Sequence, residues 1–530
     1  MNAFRAHYEP IPHIRAAQFD ALRDANKRDQ STGENGAASL KDIERNILEN
    51  PEITAFFSQI TPEMNKQIQG TYPENAAIIR LFQGAQKKRI NPSERELWNK
   101  QANGLMQWQK IKNDDAAAER KTIEIINNMM QAACEIAGNR KYKHPLDHFL
   151  LKTTGIKTKQ WDEIYKAITP LAEAFVQMAG AEEPPENPFN PHAEFDHNVQ
   201  AHFYEAIIAE FGWRNSGISQ IEIEYGKNPM CLPFSTWAKI QLNTYDIVTN
   251  IKMLFHEFGH GILECAKNIP IDIGNRQIHA YMLPWLSITL HEFMAKITEG
   301  MARSPACYDL IFPVLKKYFP ESLKEHADAH MLYRWCNRYR PSQVRVECDM
   351  VGALLHNAFK HKIEKGALDG TLCARKWPQK FKEHMRRSLK IAELSDAPAR
   401  GAFQDQHIFM DLCGFGFFNT YTLADMIACT ALEKGNTGLF QGMDWEECLR
   451  HGQGHKLIER MQEVGKFMRA GLYPILKHDR LPIADIIGDG TEISPLPLQN
   501  EIQRLAASVY GNPLLPITRN MPTYPTAHYV

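Results

Sequence analysis

Ile251-Lys252-Met253-Leu254-Phe255-His256-Glu257-Phe258-Gly259-His260-Gly261-Ile262-Leu263 decides how this chain is read. Its apolar residues fall on broad helical faces and no proline follows until Pro270. A buried helix of about six turns is therefore expected from about Tyr245 to Lys267. Two His at i and i+4 stand one above the other on such a helix. Both imidazoles can then reach a single Zn²⁺, and Glu257 can reach a water on that metal and act as general base. Without partners, two His and a Glu would be costly in an apolar helix, and a metal satisfies all three. The competing reading, a core helix whose His bond to carbonyls, leaves Glu257 unexplained.

Catalytic zinc usually takes three protein ligands. The third is sought in Leu290-His291-Glu292-Phe293-Met294-Ala295-Lys296-Ile297-Thr298-Glu299, on a second helix expected from about Pro284 to Ala302. Glu292 and Glu299 lie a heptad apart on one face, and spacing alone favours Glu292 only slightly. Glu264 sits one turn too far along the first helix, and His291 either backs the ligands or lies at the surface.

From here the sequence resembles a family. The zinc pentapeptide, His291-Glu292, Val344-Arg345-Val346-Glu347-Cys348-Asp349 and Gly401-Ala402-Phe403-Gln404-Asp405-Gln406-His407 occur in the order seen in the thermostable carboxypeptidases of the Taq type, the M32 metallocarboxypeptidases. Leu332-Tyr333-Arg334, Arg340-Pro341-Ser342-Gln343, His356, Ile363-Glu364-Lys365 and the aromatic segment Phe415 to Leu423 extend the resemblance over about residues 195 to 435. The chain also departs from the family pattern. Phe293 and Met294 replace the usual Ser or Gly and Gln, Ile408 replaces an aromatic residue, and Leu232-Pro233-Phe234 replaces a His-Pro-Phe. The longer interval between His260 and Glu292 suggests an inserted loop around Asn268 to Gln277. Altered specificity or reduced activity is a consequence to be tested.

The resemblance implies that His256, His260 and Glu292 bind the metal, Zn²⁺ with Co²⁺ or Mn²⁺ as alternatives, and that Glu257 serves as base and then as acid to the leaving amine. His407 and Tyr421 are the candidate oxyanion donors, with Gln404 beside them. An exopeptidase of this kind must grip a free α-carboxylate, which suits a bidentate guanidinium. Arg345 is the first choice and Arg340 the reserve. A structural ion pair with Glu347 or Asp349 is the competing role for Arg345. The partners implied are peptides with a free C-terminus and a second copy of the chain in a homodimer.

Composition agrees. Lys and Arg total 61 against 62 Asp and Glu, so the basic excess of nucleic-acid binders is missing. No apolar run approaches the ~20 residues a membrane helix needs, and the N-terminal residues lack a signal-peptide core, so a cytoplasmic protein is expected. The ten Cys show no CxxC spacing and form no disulfide framework.

Most of the chain reads as helix. The amphipathic stretches are Leu40 to Asn50, Pro62 to Gly70, Glu74 to Ala85, Pro92 to Ala137 and Thr158 to Ala179. Four Pro between Glu182 and Pro191 mark a boundary between an N-terminal helical lobe, 1–190, and a catalytic part, 191–494. A Pro-rich extended tail, 495–530, follows, and the whole is expected to fold as one cooperative unit. Ile218 to Tyr225 and Trp237 to Leu242 alternate around Gly226-Lys227-Asn228-Pro229, which suggests a small antiparallel sheet beside the zinc helix. The expected fold is mainly α, a zincin-like two-lobed body with a deep central groove. A zinc carboxypeptidase is the leading reading. An oligopeptidase or aminopeptidase, and a non-catalytic peptide-binding protein on a peptidase scaffold, are the alternatives.

Overall fold

The computed structural model describes residues 115–139, 141–212, 221–225, 230–233, 238–242, 246–265, 270–273, 276–279, 288–395, 401–403, 414–433, 440, 442–463 and 494–514. Those residues are mainly helical, as expected. In chain order, α1 is Asp115–Asn139, α2 Asp147–Thr153, α3 Thr158–Ala181 and α4 His197–Glu210. After three strands come α5, Ile247–Cys265, and α6, Ile288–Met301. Then follow α7 Pro305–Tyr318, α8 Ala329–Asn337, α9 Met350–Leu368, α10 Trp377–Arg387, α11 Phe418–Leu432, α12 Trp445–Arg450 and α13 Leu496–Tyr510. The expected helices before Asp115 lie outside the described residues.

The metal motif lies on α5. Asp246 caps this helix by accepting from the Val248 and Thr249 amides at 3.0 and 3.1 Å, a standard way to satisfy orphan N–H groups. Ile251, Leu254, Phe255, Phe258 and Ile262 are buried, so the helix is anchored by its apolar residues rather than by its motif. Helix α6 packs against both α5 and α11, and this trio is the centre of the fold. One hydrophobic cluster runs from Ile125 on α1 to Val509 on α13.

The sheet beside α5 departs from the expected pairing. Strands β1 (Ile221–Tyr225), β2 (Met230–Pro233) and β3 (Ala238–Leu242) lie in the order β1-β3-β2. The antiparallel pair is β2 with β3, Cys231 facing Ile240, whereas β1 runs parallel to β3, Ile223 facing Ile240. The chain turns twice between the two alternating segments, because Met230–Pro233 forms a strand of its own. The segment of the expected inserted loop contains two strands. Within it Pro270–Ile273 and Arg276–His279 pair antiparallel as β4 and β5.

The expectation of an extended tail from residue 495 fails for α13. Pro495 stands at the N-cap and Pro497 in the first turn, where no intrahelical N–H is required. Gly511, at φ 72°, closes the helix in the left-handed conformation. These residues bracket a helix whose Leu498, Ile502, Leu505, Ala506 and Val509 enter the core.

Where α9 meets α10, the His384 ring stacks on Phe359 with centroids 4.5 Å apart. Burial, reinforced by nearby His356, pushes the His384 pKa down from its ordinary 6.5 to about 3. Between those values the unfolded chain binds a proton that the folded chain refuses. Stability is therefore full above pH 6.5 and falls as pH drops toward 3, by up to about 1.4 kcal/mol per unit. His384→Gln is expected to spare the protein about 2 kcal/mol of the stability otherwise lost between about pH 7 and about pH 5. Urea midpoints of both proteins at the two pH values check this.

Candidate metal centre

Glycine sets the spacing of the site. A Cβ built on Gly259 would lie 2.6 Å from the Ala295 Cα, and nearer still to the Met294 carbonyl oxygen and the Thr298 hydroxyl. Its absence lets α5 and α6 touch backbone to backbone. The Thr298 hydroxyl then crosses the seam and donates to the Phe255 carbonyl at 2.6 Å. This contact brings Glu292 over the His pair.

Glu292 Oε2 lies 3.5 Å from His256 Nε2 and 3.9 Å from His260 Nε2. The three residues offer ligand atoms that all lie within 4.8 Å of one another. Glu292 is 6% exposed, and its Oε2 is buried with no hydrogen-bond partner. A buried carboxylate oxygen without a donor, facing two imidazole nitrogens, is a costly arrangement that a divalent cation relieves. An N₂O donor set suits zinc-class ions. The residues therefore fit a metal.

The protonation states agree with that fit. Burial, then the neighbouring His291 and His256, hold the His260 pKa well below its usual value, so its ring is the neutral form that ligates. The His260 and His291 rings stack 4.3 Å apart, which places His291 behind the ligand rather than away from the site. Burial raises Glu292 to about 6, although His256, Lys296 and Arg345 oppose the shift. Glu257 is also buried, which raises it to about 8 while the Cys231 amide on β2 donates to it and pulls the other way.

Glu299, the competing ligand by spacing, faces the other edge of the ring. Its Oε2 lies 3.1 Å from His256 Nδ1, the nitrogen turned away from Glu292. A carboxylate at that position fixes the tautomer and plane of a ligating imidazole. Burial alone would raise the Glu299 pKa, but Lys296, the His256 hydrogen bond and Lys252 outweigh it and hold Glu299 well below the usual carboxylate range. Lys296 and Arg303 complete this network and were not singled out in the sequence. Lys296 stands three residues before Glu299 on α6 and Arg303 four after it, just past the end of the helix, and this spacing was the available signal.

Arg345 is near enough for its charge to act on Glu292, and it packs on Tyr421. The Arg345 guanidinium lies 4.1 Å over the Tyr421 ring and 5.3 Å from that of Phe418. Its expected structural partners are engaged elsewhere. Glu347 accepts from the Ser342 hydroxyl at 2.5 Å, and Asp349 caps α9 through the Val351 and Gly352 amides. The reserve residue Arg340 donates to Thr249 at 3.0 Å and lies 3.6 Å from Asp246, so it serves the start of α5. Gln404 and His407 lie outside the described residues. Phe293 and Met294, the departures beside Glu292, are fully buried in the main core. Cys134, Cys231, Cys307, Cys336, Cys348, Cys373, Cys429 and Cys448 are free thiols.

The family model for carboxypeptidase Taq (M32) metallopeptidases matches residues 3–467. A thermostable carboxypeptidase 1 of Pyrococcus furiosus is 23% identical over 61% of this chain and 62% of its own length. One of Thermus thermophilus is 28% identical over 39% of this chain and 41% of its own length. The chain thus aligns with less than two thirds of these curated relatives. A solved carboxypeptidase structure from Pyrococcus furiosus, 18% identical, superposes with a TM-score of 0.72 over 95% of this chain and 98% of that one, which establishes the shared fold. With its model matched over most of the sequence, the chain belongs to the carboxypeptidase Taq (M32) metallopeptidase family.

Proposed function

We propose that this protein is a metal-dependent carboxypeptidase that releases residues one at a time from the C-terminus of peptides. The observation that carries this reading is the convergence of the His256, His260 and Glu292 ligand atoms on one point, with the orphaned Glu292 oxygen among them. Zn²⁺ is the proposed ion, with Co²⁺ or Mn²⁺ as alternatives, because two imidazoles and one carboxylate leave a position open for catalysis. When bound, such an ion supplies Lewis acidity, lowering the pKa of water to about 7 and polarising a carbonyl.

The protein's own groups do the rest. Glu257 takes the proton from the attacking water and returns it to the departing amine. Arg345 binds the α-carboxylate of the substrate through its paired N–H groups. The Tyr421 ring under the guanidinium limits its rotation, and its hydroxyl is the proposed oxyanion donor together with His407. Gln404 is proposed to bind substrate beside them. The substrates are peptides with a free C-terminus. A homodimer and a cytoplasmic setting are proposed on the family resemblance and the sequence. Among the described residues no helix is long and apolar enough to cross a membrane.

Mass spectrometry of a peptide and its C-terminal amide, with and without chelator, tests the reading. Stepwise shortening of the free acid from its C-terminus, abolished by chelator, is the expected result. Internal cleavage, or equal attack on the amide, would point to the oligopeptidase alternative. Arg345→Ala is expected to lower kcat/KM on the free acid by about 10- to 100-fold, the range for losing a charged hydrogen bond. An equal loss on the amide would remove Arg345 from carboxylate binding.

A further inference from the structure

A chain of buried charges leads away from the metal triad to the last described helix. Glu299 Oε2, which holds His256 Nδ1, also accepts from Lys296 at 2.9 Å, and Lys296 lies 3.4 Å from Asp425 on α11. The other Glu299 oxygen lies 3.5 Å from Arg303 Nη1. Arg303 Nε donates to Glu501 on α13 at 3.1 Å. Glu501 also accepts two bonds from Arg504, at 2.7 and 2.8 Å, and Arg504 returns a bond to the Arg303 carbonyl at 3.1 Å.

We propose that Glu501, on the C-terminal helix, is a positioning residue for the metal centre. It fixes Arg303, Arg303 fixes Glu299, and Glu299 sets the plane of the His256 ring. The inference rests on the metal-site reading of the triad.

The reasoning turns on how Arg303 divides itself. Its guanidinium, in the turn after α6, is almost fully buried between two carboxylates, Glu299 on α6 and Glu501 on α13. Removing the Glu501 charge leaves a buried cation with Glu299 as its near partner. Arg303 is then drawn onto Glu299, and the oxygen shared by His256 and Lys296 moves with it. Docking of α13 does not need this chain of charges, because Leu498, Ile502, Leu505 and Val509 already bury its apolar face. Buried ion pairs are also weak sources of net stability, since desolvation offsets their attraction. A role in orientation accounts for charges that stability does not require.

Glu501→Gln in the full-length chain separates the two roles. The protein is stripped with chelator, its Zn²⁺ affinity is measured by competition with a chromophoric chelator, and melts are recorded for apo and Zn²⁺-loaded forms. Zn²⁺ affinity is expected to fall about tenfold, the lower end for groups that support a ligand from outside, and the gap between loaded and apo melting temperatures to narrow. Val509→Ala, which only removes packing from the same helix, should lower both melting temperatures and leave Zn²⁺ affinity unchanged. In a Glu299→Gln background, Glu501→Gln should add no further loss, because it acts through Glu299. Should Glu501→Gln fail to fold, Glu501→Asp is measured in the same way, with a smaller loss expected. Unchanged Zn²⁺ affinity in a folded Glu501 variant overturns the inference and leaves the metal-site reading intact. A wild-type chain that takes up no Zn²⁺ overturns both.

Discussion

Glu257→Gln is expected to keep its metal and to lose about three to four orders of magnitude in kcat, the upper part of the range for one proton-transferring group. Glu257 is not among the three proposed ligands. It is buried beside them at 4% exposure, with the Cys231 amide as donor. Glutamine has the same shape and still accepts from that amide, so the strand, the helix and the triad stay in place. What is lost is an oxygen basic enough to take a proton from water. Metal content and kcat at saturating peptide, measured on one preparation, check the prediction. A variant with full metal and wild-type turnover would show that the base lies elsewhere. A variant that has lost its metal would show that Glu257 helps to hold the ion.

Gly259→Ala is expected to damage stability and metal binding together. The added methyl would meet the backbone of Ala295 at 2.6 Å, and the Met294 carbonyl oxygen more closely, and neither can rotate aside. Overpacking of this kind costs about 1–3 kcal/mol, and contact against backbone belongs at the upper end. The helices relieve it by separating. His256 and His260 ride on α5 and Glu292 on α6, so separation opens the triad itself. Metal–ligand distances tolerate only about 0.2 Å, so Zn²⁺ affinity should fall by more than tenfold. A chelator-competition titration and a thermal melt provide the check. Wild-type values in both would mean that the close approach of α5 and α6 does not set the site. Phe258 is fully buried in the core at the neighbouring position, so the pentapeptide fixes packing as well as ligation.

The sequence by itself determined the local chemistry. His256, Glu257 and His260 share one helix, so the geometry of a single helical turn brings them together whatever the rest of the chain does. The mainly helical character of the fold, and the helices at Ile247–Cys265 and Thr158–Ala181, were legible for the same reason, since apolar periodicity is a local signal. The proline-rich segment misled because its composition says nothing about position. At the N-cap and first turn of α13 those residues start a helix rather than prevent one. The short strand Met230–Pro233 and the hairpin after α5 escaped because strands of four residues have almost no periodicity of their own.

Only the tertiary structure decided what depends on contacts between distant segments. Glu292 and Glu299 share one face of α6, so spacing could not separate them. The way α6 crosses α5 gives Glu292 to the Nε2 edge of His256 and Glu299 to its Nδ1 edge. The same holds for Arg345, whose carboxylate neighbours in sequence are engaged elsewhere, and which lies against Tyr421 from another helix. A helical turn places residues three or four apart, whereas two helices are placed by the side chains, and here by the one glycine, that lie between them.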